Sequence, residues 1–142
     1  IPMIFNDDKS IELKIVAGEQ EGKFGVIKTQ TSVNTFMVKT TSKGKMKISL
    51  PQNHNALVYL LDGEVLVNNE KNLKKGYHQM TTFNFDGDFI EIEARSESNL
   101  LILSGEPIVE KVAQYGPYVM NTQTEIMEAM RDFQQGKMGY LY

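Results

Sequence analysis

Apolar and polar residues alternate with a period of two through much of the first hundred positions. Ile11-Glu12-Leu13-Lys14-Ile15 is the plainest case, and Ala17-Gly18 ends it. Such alternation marks a strand with one buried and one solvated face. The same pattern predicts strands over Val33–Thr40 and 46–50, with Lys43-Gly44 as the turn between them. Residues 56–61 are apolar on both faces, as a strand packed on two sides requires. Asp62-Gly63 then turns the chain into Glu64–Val67, a strong hairpin signal. Further strands are expected over 79–85, Phe89–Ala94 and 100–103, before Gly105-Glu106-Pro107 breaks the series. Strands this short and this regular, with no helical segment to make parallel crossovers, imply a mostly antiparallel sandwich or barrel.

The pattern changes near the end. Thr122-Gln123-Thr124-Glu125 has the spacing of a capping box, and Ile126, Ala129, Met130 and Phe133 then recur at helical intervals. Gly136 supplies a C-terminal stop, so a helix of three to four turns is predicted near 123–135. The expected organisation is one domain over 1–142. It comprises a linker-like segment at 1–10, a barrel over 11–121 and a helix within 122–136.

Composition narrows the chemistry. The 142 residues, 41% hydrophobic and 23% charged, suffice for one domain with a real core. There is no cysteine, which excludes disulfides, thiolate metal sites and cysteine nucleophiles. A net charge of −3 advertises no polyanion partner, so no direct nucleic-acid binding is expected. No apolar run approaches a membrane span and no basic start precedes a signal core. A cytoplasmic location is therefore expected.

Few side chains remain for catalysis. His54 and His78 are the only histidines, with no His-x-His or His-x-x-x-His spacing. A metal site built on them with Glu91 is a weak candidate beside core-satisfied or exposed histidines. Glu91 and Glu93 share one face of their strand and could split acid and base roles, although a solvated face explains them better. Lys39, Lys43, Lys45 and Lys47 suit edge strands that discourage sheet-to-sheet pairing. Ser104 stands next to Gly105 but outside any Gly-x-Ser-x-Gly elbow, and no phosphate-binding glycine loop occurs. No catalytic residue and no metal ligand is assigned. The helix could turn Ile126, Met130 and Phe133 toward a partner, although covering its own barrel is the ordinary use of such a stripe.

Several stretches carry a family resemblance. Leu103-Ser104-Gly105-Glu106-Pro107, then Tyr115-Gly116-Pro117-Tyr118-Val119-Met120-Asn121-Thr122 and Glu125-Ile126, resemble the C-terminal signature of the pirin family. Asp132-Phe133-Gln134-Gln135-Gly136 is similar to the ending that follows it. Val16-Ala17-Gly18-Glu19 and Tyr59-Leu60-Leu61-Asp62-Gly63-Glu64 resemble the start and central strand-turn of the family's second barrel. The resemblance implies an all-β, antiparallel cupin-type jelly-roll barrel with one C-terminal helix, about half of a two-barrel protein. The start at Ile1-Pro2 is then expected to be a cut at the interdomain linker.

Pirins hold iron or another divalent metal in the first barrel, on three histidines and a glutamate. The quercetin-cleaving dioxygenase activity described for some members depends on that metal. Carried onto this chain, Ser49, Pro51 and Asn55 stand where a cupin would place His, His and Glu, and no histidine lies in 81–88. The parity of the strand is expected to point His54 away from the barrel interior. The resemblance thus implies no cofactor in this chain. Its expected role is structural and interactive, with the metal-bearing N-terminal barrel or a second copy of itself as partner; the alternatives are part of a quercetin 2,3-dioxygenase-type cupin enzyme or a regulatory protein-binding module.

Overall fold

The computed structural model describes residues 1–41 and 43–139, and these are mostly strand with one helix. The first strands are β1 (Met3–Phe5), β2 (Ile11–Ala17), β3 (Glu19–Gln20), β4 (Lys23–Phe24) and β5 (Val33–Thr40). Next come β6 (Lys45–Ser49), β7 (Asn55–Asp62), β8 (Glu64–Val67), β9 (Lys71–Lys74) and β10 (Met80–Thr82). The series ends with β11 (Phe89–Ala94), β12 (Ser98–Gly105), β13 (Ala113–Tyr115), β14 (Tyr118–Met120) and the helix α1 (Gln123–Gln134).

Residues Ile1–Pro107 make one compact unit. Its larger sheet has the order β1-β2-β5-β12-β7-β10 and its smaller one β6-β11-β8-β9, with every strand pair antiparallel. The period-two pattern explains why these sheets share a core. In β2, Ile11, Leu13 and Ile15 are fully buried while Glu12 and Lys14 between them are not. Phe36 from β5, Val58 and Leu60 from β7, and Ile92 from β11 meet them in the same apolar cluster. Each such side chain removed from water contributes about 1.5–3 kcal/mol.

The linker-like reading of residues 1–10 is corrected by the strand they contain. Met3–Phe5 pairs with β2 through Met3↔Lys14, Ile4↔Leu13 and Phe5↔Glu12, and Ile4 enters the core. Three residues are too few for alternation to register against the charged run that follows them. Strand β10 is shorter than expected, ending at Thr82; beyond it the Phe83 amide still donates to the Ala56 carbonyl at 3.3 Å and its ring packs against the core.

The outward face of the larger sheet is unusually apolar at its centre. Cross-strand register aligns Met80 with Tyr59, Tyr59 with Leu101, and Leu101 with Met37. Of these, Met37, Tyr59 and Met80 are exposed.

A second compact unit begins at Ile108. There β13 and β14 pair only with each other, around Tyr115-Gly116-Pro117-Tyr118, with Gly116 at φ +54°. The expected barrel boundary at residue 121 therefore falls inside this unit. The capping box forms as its spacing predicts: Thr122 Oγ1 accepts from the Glu125 amide at 3.2 Å, and the Glu125 carboxylate accepts from the Thr122 amide at 2.7 Å. Helix α1 packs on the β13–β14 hairpin, with Ile126 and Ala129 buried. None of the described helices is long and apolar enough to cross a membrane.

Candidate functional site

Strand β7 positions the one buried histidine. Pro51 to His54 form a turn closed by the His54 amide donating to the Pro51 carbonyl at 3.0 Å. From there, even-numbered residues of β7 face the core, since Val58 and Leu60 are fully buried. His54 shares their parity, so it points inward and is only 6% exposed, whereas Asn55 is exposed. This corrects the expectation that His54 faces away from the interior. Matching Asn55 to a glutamate ligand places it inward, but the packing of Val58 and Leu60 fixes the opposite parity.

Both ring nitrogens of His54 are occupied. Nδ1 lies 3.1 Å from Ser104 Oγ and Nε2 lies 3.0 Å from Ser32 Oγ. The Asn34 amide in turn donates to Ser104 Oγ at 3.1 Å, and its Oδ1 accepts from the Glu19 amide at 3.2 Å. Asn34, His54 and Ser104 are all buried. Burial lowers the His54 pKa below its usual value, against a smaller opposing pull from the Glu106 carboxylate, so the ring is held neutral.

Sequence reasoning missed these Ser–His contacts, because Ser104 and Ser32 lie 50 and 22 positions from His54. They lack the parts of a hydrolytic triad. A serine hydroxyl, not a carboxylate, holds Nδ1, and Ser104 itself is buried and engaged by Asn34.

The remaining candidates separate. His78 is exposed in the turn after β9, edge-on to Tyr77. Glu91 and Glu93 lie on the outward face of β11, where Lys45 bridges them at 3.1 and 3.3 Å and Arg95 holds Glu93 at 3.0 Å. Hydrogen bonding from Lys45 holds the Glu91 carboxyl below its usual range, so it is no proton donor near neutrality. Of the lysine run, Lys47 sits 3.5 Å above the Phe89 ring and Lys39 reaches Glu97 at 4.0 Å. On the helix, Ile126 is buried, Met130 half-buried and Phe133 62% exposed.

The positions equivalent to cupin ligands do not fit a metal. Ser49 is exposed and its backbone is engaged by the buried Gln20 amide at 2.9 and 3.2 Å. Pro51 offers no donor atom, and Asn55 is exposed. Among the described residues no group of three or more His, Asp or Glu is gathered closely enough to hold an ion.

A cavity of about 490 Å³ opens beside His54. Leu50, His54 and Ile90 are its buried residues, and Ala56 and Phe83 add partly buried apolar surface. Its polar lining comes from Asn68 and Asn69 after β8, from Asn84 and Asp86 before β11, and from Glu91. Only the turn punctuation of these loops was visible in the sequence, because their convergence depends on how the two sheets meet.

Two antiparallel sheets around one apolar core, with a lined opening beside the β6–β7 turn, define a protein of the cupin class. A solved quercetin 2,3-dioxygenase from Acinetobacter baumannii superposes with a TM-score of 0.88 at 33% identity, covering 100% of this chain and 49% of that one. The family model for the pirin C-terminal cupin domain matches residues 35–139. The chain belongs to the pirin family. A pirin-like protein of Solanum lycopersicum is 32% identical over 133 residues, 92% of this chain and 45% of that protein. Pirin of Rattus norvegicus is 28% identical over 132 residues, 92% of this chain and 45% of its own length. The chain spans about half the length of the curated relatives it matches.

Proposed function

We propose that this chain is the metal-free second barrel of a pirin-like protein, with a structural and interaction role beside a metal-bearing first barrel. The observation that carries the reading is the orientation around β7. Asn55 is exposed, Pro51 can donate nothing, and the inward His54 already spends both nitrogens on Ser104 and Ser32. A catalytic metal requires about three converging protein ligands and an open position, and this arrangement supplies neither.

The fold in this reading is the closed jelly roll of the family, working in the cytoplasm. The interaction role draws support from the Met37, Leu101, Tyr59 and Met80 row, an apolar stripe across the centre of a sheet face. The partner is the N-terminal barrel of the same protein or, for the isolated chain, a second copy. The name quercetin 2,3-dioxygenase on the Acinetobacter protein favours the second reading, in which this barrel is part of such an enzyme.

Oxygen uptake with quercetin separates the two. The isolated chain supplied with iron or nickel should consume no oxygen above the metal-only blank. Turnover that tracks bound metal would establish an active centre within this barrel.

A further inference from the structure

The cavity beside His54 has a lining chemistry that neither the metal reading nor the interaction reading uses. Its volume of about 490 Å³ is within the range of small-molecule sites. No lysine or arginine lines it; Glu91 is paired with Lys45 at 3.1 Å, and Asp86 sets like charge against an anionic ligand.

The unspent polar atoms are amides and carboxylates. Asn68 accepts the Glu91 amide through Oδ1 at 2.8 Å, and its Nδ2 makes no hydrogen bond among the described residues. Glu91 gives Oε1 to Asn69 and Lys45 and keeps Oε2 free of both. Asn84 and Asp86 are exposed, and their side chains bond to none of the described residues. Asn84 and Asp86 each offer two unspent polar atoms, and Asn68 and Glu91 one each, together supplying both donors and acceptors for hydroxyl groups. Phe83 supplies an aromatic surface on which an aliphatic ring face can lie. A simple cation finds one unpaired carboxylate, Asp86, since Lys45 already pairs with Glu91, and it leaves the Asn68 Nδ2 donor unused.

We infer that this cavity binds a neutral sugar ring. Its hydroxyls meet Asn68, Asn84, Asp86 and Glu91, its C–H face lies on Phe83, and no metal takes part.

The test is an amide-resolved NMR titration of the full chain with four probes: methyl β-D-glucopyranoside, methyl β-D-galactopyranoside, D-glucuronate and catechol. At least one neutral glycoside should shift the resonances of Asn68, Phe83, Asn84 and Asp86 saturably, with glucuronate weaker. Asn84→Ala and Asp86→Ala, both at exposed loop positions, should each weaken binding about tenfold while the other resonances stay in place. Three results would overturn the inference: no saturable shift with either glycoside, binding unchanged in both variants, or tighter binding of glucuronate or catechol than of the glycosides. Metal content plays no part in this readout, so failure here is distinct from failure of the metal-free reading.

Discussion

His54 is a heavily engaged polar side chain at the edge of the core, with both ring nitrogens within hydrogen-bond distance of serine hydroxyls. A neutral imidazole suspended between Ser104 and Ser32, with Asn34 behind Ser104, satisfies four polar side chains at the end of an apolar core. Removing one partner leaves buried groups unpaired, so Ser104→Ala should cost about 1–3 kcal/mol in urea unfolding. The same burial makes the residue acid-sensitive. Its folded pKa lies below the ordinary 6.5, so the unfolded chain takes the proton first. Stability is therefore full above about pH 6.5 and falls as pH drops toward the lowered folded value. Comparing denaturation at about pH 7.5 and pH 5.5 should show this loss, before the carboxylates begin to titrate. His54→Gln should flatten that slope, and a slope equal to that of the parent chain would place its origin elsewhere. The histidine's identity was plain in the sequence, but its direction was not. Only the packing of Val58 and Leu60 two and three turns of alternation further on decides which face of β7 is inside.

Among the elements, those with a strong local signal were legible. Val33–Thr40, Glu64–Val67 and Phe89–Ala94 stand where alternation places them, and α1 starts at its capping box. What alternation could not reveal were pieces of two to four residues, such as Glu19–Gln20 with Lys23–Phe24 and Lys71–Lys74, which exist because a neighbour offers a ladder. The turns are legible through glycine where geometry forces it. Gly63 sits at φ +91°, and an added Cβ would lie 2.2 Å from Ser98 Oγ and 2.3 Å from the Glu97 carbonyl oxygen. Gly63→Ala should therefore destabilise the first unit by more than about 1 kcal/mol, read as a lowered urea midpoint. At the helix, Thr122→Ala removes the hydroxyl that accepts from Glu125 and should cost about 1 kcal/mol locally. Hydrogen exchange across α1 is the measurement, and unchanged protection there would show that the cap contributes little.

At the scale of the molecule, the proposed partnering rests on the apolar row across the larger sheet, where Met37, Tyr59 and Met80 are exposed. The Met37, Leu101, Tyr59 and Met80 row should drive weak self-association of the isolated chain, seen as a solution mass that rises with concentration. Met37→Lys with Tyr59→Lys places two charges in that row at exposed positions and should return the mass to that of a monomer. The cupin class and the pirin family were legible from the tail signature and the strand spacing. The cavity was not, since its lining is drawn from three loops that only the meeting of two sheets brings together. On the proposed reading, this cupin domain binds no metal of its own. Its most direct test is the metal content of the purified chain, determined by elemental mass spectrometry after equilibration with iron(II) or nickel(II) and desalting. Far less than one ion per chain is expected; one tightly held ion per chain, lost in His54→Gln, would overturn the metal-free reading.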